Sequence, residues 1–190
     1  MYHHIRGTLF ELNPTYAVVE SGGLGYQVEI TLPTYTILQG QQEVMLYLYP
    51  IFKEDNQQLF GFSDKSERQI FTQLLSVSGV RGNTARLILS SLSAAEVQEA
   101  IGSENAGALQ AVKGVGAKTA QRIIIDLKDK IGLAEATAPS GGASQQAEAL
   151  SALETLGYPS RQAQRVLRLV EKEQPGSSVE NLIKNALKKL

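Results

Sequence analysis

Cysteine is absent from all 190 residues, and histidine occurs only twice, side by side at His3 and His4. The first absence excludes a disulfide framework and any thiolate metal site. Adjacent residues on a strand point to opposite faces and no further histidine exists, so no metal site is expected at the second. Long apolar runs are also missing. No segment approaches the ~20 apolar residues that a membrane-spanning helix needs, and the opening MYHHIRGTLFEL has no signal-peptide core. The expectation is a soluble, cytoplasmic protein. Nor is there an excess of charge, since 18 basic residues face 19 acidic ones for a net −1, which argues against a chain that coats polyanions. The rest, 43% hydrophobic and 19% charged, is ordinary globular composition.

The charge is unevenly placed. Residues 1–62 hold two basic and six acidic side chains (net −4), residues 63–133 nine and seven (+2), and residues 134–190 seven and six (+1). If nucleic acid is the partner, the middle segment should attract its phosphates and the first should meet them reluctantly.

Periodicity divides the chain at the same places. Ten of the twelve aromatic residues fall in the first 62, where EVMLYLY (43–49) and YQVEI (26–30) alternate as half-buried strands do. Turn signals at Asn13-Pro14, Gly22-Gly23 and Gly40 predict about five strands, which suits an OB-fold barrel. With Arg6 and Lys53 its only basic residues, core packing is expected for most of the rings rather than base stacking. From Ser63 the pattern turns helical in IFTQLL (70–75), TARLILSSL (84–92) and TAQRIIIDL (119–127), and SAAE (93–96) predicts a capping box with a helix starting at Ala94. Residues 134–147, AEATAPSGGASQQA, read as a flexible linker. Three amphipathic stretches follow within residues 148–190, with Gly157 at a helix C-cap and Ser177 and Glu180 as a second capping box. The predicted architecture is α+β and multidomain: barrel (1–62), hairpin domain (63–133), linker, and a UBA-like three-helix bundle (148–190).

KGVGAKTAQR (113–122) resembles a Walker A loop but is not one, because Val112 and Ala117 stand at the two glycine positions that let such a loop wrap phosphates. An internal repeat explains it better. LLSVSGVRGNTARLILSSL (74–92) aligns with LQAVKGVGAKTAQRIIIDL (109–127) at a constant offset of 35, identical at eight of nineteen positions. Each copy runs from a helix through a Gly-rich turn into a second helix, a helix-hairpin-helix. Such a turn aims backbone amides and the positive end of the following helix at one external spot that fits a DNA phosphate, without reading sequence. The candidate DNA-binding residues are Gly79, Val80, Arg81, Gly82, Asn83 and Thr84 in the first copy, and Gly114, Val115, Gly116, Ala117, Lys118, Thr119 and Arg122 in the second. Gly114 and Gly116 are expected to supply positive φ and close backbone approach.

The stretches ESGGLGYQVEI (20–30), KEDNQQLFGF (53–62), ERQIFTQLLSVSGV (67–80), TARLILS (84–90) and VKGVGAKTAQRIIIDLKDK (112–130), in this order, resemble the RuvA family of Holliday junction binding proteins over nearly the whole chain. The resemblance implies an OB-fold, tandem helix-hairpin-helix and mobile C-terminal domain, assembled as a homotetramer or a paired octamer on four-way junction DNA. It further implies a RuvB ATPase partner that drives branch migration through the C-terminal domain, a RuvC nuclease partner, and a place in recombination, DNA repair and the SOS response. No cofactor, metal or catalytic residue is implied. Glu54 and Asp55 correspond to an acidic pin near the junction centre, a role that the residues alone would not distinguish from a solvated turn. Two positions depart from the family pattern: Arg81 replaces a usual second glycine, so that either the glycine role passes to Gly82 and Arg81 meets phosphate directly or the backbone contact of this turn is weaker, and MYHH precedes Arg6-Gly7. The competing classes are a general DNA-binding repair module and a nuclease or glycosylase. The last lacks a carboxylate cluster, and Asp126 lies within the second hairpin helix, not after it.

Overall fold

The computed structural model describes residues 2–54, 56–135, 145–174 and 176–190, the side chains of 129–135 and 173 excepted. Residues 1–132 form one compact unit and residues 133–190 a second.

Strands β1 (His4–Asn13), β2 (Tyr16–Ser21), β3 (Leu24–Ile30), β4 (Glu43–Phe52) and β5 (Gln57–Phe62) close into a barrel in the order β1-β2-β3-β5-β4. All pairings are antiparallel except β3 with β5, where Glu29 faces Phe60 and Ile30 faces Gly61. Helix α1 (Leu32–Leu38) lies between β3 and β4. The sequence reading missed it, although Thr31 caps the Thr34 amide and Pro33 occupies the first turn, where a proline costs no hydrogen bond. The barrel interior is aliphatic: Ile5, Ala17, Val19, Val28, Ile30, Val44, Leu46 and Leu48 alternate inward, and Leu38 of α1 is buried in the same cluster. The larger rings pack in a core, as expected, but not in this one. Phe60, Phe62 and Tyr49 face outward from the barrel and surround Phe71 of α2 (Lys65–Leu75), with ring centroids 4.9, 4.9 and 5.6 Å away.

That aromatic cluster opens a second core continuous with the hairpin helices α3 (Gly82–Ser91), α4 (Ala94–Gly102), α5 (Ala106–Gln110) and α6 (Ala117–Glu135). Polar ties reinforce the seam. Arg86 of α3 donates to the Thr15 carbonyl at 2.7 Å and pairs with Glu29, and Arg68 of α2 reaches the His3 carbonyl at 3.0 Å. The capping box expected at Ser93 and Glu96 is formed, and α4 starts at Ala94.

Glu67 is buried at the seam, where its carboxylate accepts from the hydroxyls of Thr31 and of Thr34, the latter at 2.9 Å. Burial pushes its pKa up against the opposing pull of those hydroxyls. Since the folded-state pKa is raised, its contribution to stability is fully present below the unfolded pKa and is lost as pH rises through the folded one. Glu67→Gln keeps a donor and an acceptor without the charge. The wild type should therefore lose thermal stability relative to this variant as pH rises above the ordinary carboxylate range, by ~2–4 °C for each kcal/mol. Melting curves that stay parallel above that range would remove the charge from the account.

In the second unit, α7 (Gln145–Thr155), α8 (Ser160–Glu173) and α9 (Val179–Leu187) bury Ala149, Leu153, Ala163, Leu167, Val170, Leu182 and Ala186 against one another. Gly157 closes α7 as expected, its amide on the Glu154 carbonyl and that of Tyr158 on Leu153. The cap of α9 is corrected by one residue. Ser178, not Ser177, accepts from the Asn181 amide, while the Ser177 hydroxyl turns back to the Gln174 carbonyl. Helix α6 extends through Glu135 and α7 starts at Gln145, so both ends of the stretch expected to be linker are helical. The remainder, 136–144, lies outside the described residues.

Candidate nucleic-acid interface

The two hairpins repeat one another bond for bond at the offset of 35. In the first, Val77 N donates to Leu74 O (3.1 Å), Val80 N to Val77 O (3.0 Å) and Ala85 N to Arg81 O (2.9 Å). In the second, Val112 N donates to Leu109 O (3.2 Å), Val115 N to Val112 O (3.0 Å) and Ala120 N to Gly116 O (2.9 Å). The repeated residues Leu74/Leu109, Val77/Val112, Val80/Val115, Ala85/Ala120 and Ile88/Ile123 are all buried. The repeat is therefore a repeated core, and it fixes two equal turns whose outer faces are open.

Gly79 and Gly114 take φ of +93° and +90°, the left-handed conformation that turns the chain from one helix into the next. Gly116 does not, which corrects the expectation of positive φ there. It is the N-cap of α6, and a Cβ added to it would meet nothing within 4 Å. Its counterpart Arg81 caps α3 with extended backbone (φ −108°, ψ 169°) that any residue adopts, so arginine costs this turn nothing. The glycine role does not pass to Gly82. A Cβ there would stand 2.7 Å from Phe60 Cζ and 3.0 Å from Ile51 Cδ1, so Gly82 is glycine because the barrel presses on the start of α3.

These positions sort the candidates. Gly79, Arg81, Asn83, Gly114, Gly116, Ala117, Lys118 and Arg122 are exposed, and Thr84 and Thr119 are half-buried at the helix starts. Val80 and Val115 are buried and their amides are held inside the turns, so neither the side chain nor the N–H faces outward. Gly82 offers only its amide. The first amides of α3 and α6 have no acceptor within their helices and, with the helix dipole, make two anion-seeking spots. Arg122 brings them together, its guanidinium donating to the Ser78 carbonyl of the first turn at 3.2 Å. The sequence reading gave Arg122 only a charge and omitted Lys113, which is exposed beside Gly114 and adds a cation to the same loop.

Beside the first hairpin runs the β4–β5 ribbon, in which Ile51 pairs with Gln58 and Phe52 with Gln57. Its tip is closed by Lys53 N on Asn56 O at 2.8 Å and exposes Glu54. Asp55 lies outside the described residues. Ile51, three residues before Glu54 on this ribbon, abuts Gly82 at the start of α3.

His3 and His4 do not point apart as adjacent strand residues would, since His3 precedes β1 and its Nδ1 lies 3.0 Å from that of His4. Among the described residues no group of three or more His, Asp or Glu side chains is placed to hold a metal ion. No helix among them is long and apolar enough to cross a membrane.

A closed five-stranded barrel packed on paired helix-hairpin-helix turns, with a separate helical unit, defines a multidomain protein of the DNA-binding OB and helix-hairpin-helix class. Comparison with known families narrows this. Residues 1–61 match the RuvA N-terminal domain, residues 71–129 a SAM-like helix-hairpin-helix tandem, and residues 144–190 the RuvA C-terminal domain. Among similar proteins named Holliday junction branch migration complex subunit RuvA, that of Christiangramia forsetii is 50% identical over 194 residues, that of Bacteroides thetaiotaomicron 47% over 201, and that of Porphyromonas gingivalis 40% over 202. Each alignment covers the whole of both chains. The chain belongs to the RuvA family.

Proposed function

We propose that the chain is the junction-binding subunit of a branch migration complex, in which four copies hold an open four-way DNA junction. The observation that carries this reading is the pair of equivalent open turns, tied by Arg122 and flanked by the acidic tip of the β4–β5 ribbon. Phosphate contacts of this kind are indifferent to sequence. Two contacts fixed relative to each other select for backbone geometry, and a like-charged tip penalises a duplex that runs straight across it. The names of the full-length relatives support the same assignment.

In this reading the chain is not itself an enzyme; a RuvB-type ATPase supplies the motor and docks on the C-terminal helices. Leu156 and Leu187 of that unit are 59% and 40% exposed and offer apolar anchors for it. A RuvC-type nuclease joins the tetramer in a resolution complex, and in its absence a second tetramer can pair with the first as an octamer; the work is done in the cytoplasm, in recombination and repair.

Band shifts with a four-way junction and a linear duplex of equal length test the central claim. The junction should be bound at least tenfold more tightly, a difference of about 1.4 kcal/mol. Equal affinity would leave a general DNA-binding module. Ending the chain after Glu135, which keeps α6 whole, should preserve binding to a short-armed junction and abolish stimulation of the ATPase. Full stimulation by the shortened chain would free the C-terminal unit from this role.

A further inference from the structure

Arg161, Arg165, Arg168 and Lys172 follow one another along α8 at spacings of four, three and four residues, so they stand on one face of the helix. All four are exposed, and they line an open groove of about 310 Å³ with Gln164 and Leu169. The opposite face, Ala163, Val166, Leu167 and Val170, is buried in the bundle, which fixes the cations outward. Among the described residues no carboxylate pairs with any of them: the two ion pairs are Arg86 with Glu29 and Lys128 with Glu104. The nearest acid on the helix, Glu171, is turned to the side-chain amide of Gln146 on α7. Like charges one turn apart destabilise a helix. Four in a row with no counter-charge among the described residues mark a face built for an anion outside the bundle.

We infer that this stripe of α8 is a second, sequence-independent DNA site, which grips the phosphates of a duplex arm outside the part of the junction held by the hairpins. It rests on the reading of the chain as a junction-binding subunit, for that DNA is the polyanion the stripe meets. Three features favour DNA over an acidic protein. The stripe holds a single exposed apolar residue, Leu169, and no aromatic, so its chemistry is almost wholly cationic, as phosphate contacts require. The exposed leucines Leu156 and Leu187 lie on other elements of the bundle. The eleven-residue advance from Arg161 to Lys172 covers roughly 16 Å of helix, enough to pass about five phosphates of one strand.

The test uses the full chain, wild type and the variant carrying Arg161→Gln, Arg165→Gln, Arg168→Gln and Lys172→Gln together, on junctions with long and with short arms over a range of salt. On long arms the variant should bind about tenfold more weakly at low salt, and its plot of log affinity against log salt should be shallower by about one for each phosphate no longer neutralised. Short-armed junctions should be bound as by the wild type. Arg165→Gln with Arg168→Gln alone should give about half the change in slope, and serves if the fourfold variant melts early. Identical slopes on long arms overturn the inference, as does an equal loss on both arm lengths. Unchanged DNA binding with failed motor stimulation overturns it too and assigns the stripe to an acidic protein surface. If the wild type itself shows no preference for the junction, the junction reading fails instead, and the slopes on linear duplex still judge the stripe.

Discussion

Threonine at Gly116 is expected to weaken junction binding about tenfold and leave the melting temperature unchanged, whereas valine at Gly82 should lower the melting temperature by roughly 5–10 °C. The two glycines lie at neighbouring positions of the repeated motif and are glycine for opposite reasons. Gly116 is the N-cap of α6 with nothing within 4 Å of an added Cβ, and threonine caps a helix about as well as glycine. Its side chain would cost the fold nothing, yet it would occupy the approach to the first amides of α6, and its hydroxyl would take one of the donors a phosphate needs. At Gly82 the space is already filled, with Phe60 Cζ at 2.7 Å, Phe60 Cε2 at 2.9 Å and Ile51 Cδ1 at 3.0 Å. Phe60 cannot yield, because it is fully buried against Phe71. Thermal melting and band shifts on both variants separate the cases. A folded Gly116→Thr with wild-type junction affinity would remove this turn from the DNA interface.

The same pair shows what a sequence discloses and what it withholds. The repeat was legible because its identities are local: Leu, Val, Gly, Val, Thr, Ala and Ile recur at fixed spacing, and that spacing fixes which face of each helix is buried. The barrel was legible as alternation and turn residues, and the comparison with RuvA proteins agrees with the order of the parts. The reason for each glycine was not legible, since Gly82 answers to Phe60 and Ile51, far back in the chain on another element. Arg81 stands out as a defect of the first turn only while both glycine positions are expected to need positive φ; Gly79 alone carries it, and Arg81 stands on ordinary extended backbone. Arg122 read as one more cation, and only the pairing of the hairpins shows its guanidinium on the Ser78 carbonyl. Glu67 gave no signal at all, because its partners Thr31 and Thr34 belong to a helix that the strand pattern concealed.

Neutralising the acidic tip by Glu54→Gln with Asp55→Asn is expected to raise affinity for ordinary duplex about three- to tenfold at low salt, while junction affinity changes little or also rises, so that selectivity narrows. The reason is the place of the ribbon. Ile51 sits against Gly82 and the ribbon turns three residues later at Glu54, so on the proposed reading a duplex seated on the start of α3 meets this carboxylate as a neighbour. In the proposed fourfold assembly each copy would contribute its own tip, and the repulsion would be summed where a continuous duplex has to cross; an open junction would separate its strands there and avoid it. Screening gives the signature. The difference between wild type and variant should shrink as salt brings the screening length down to ~8 Å at physiological ionic strength, whereas the amide contacts at the turns remain. Paired titrations of duplex and junction across salt measure it. Equal duplex affinities for the wild type and the variant at every salt concentration would place the tip away from DNA and reduce it to a solvated turn.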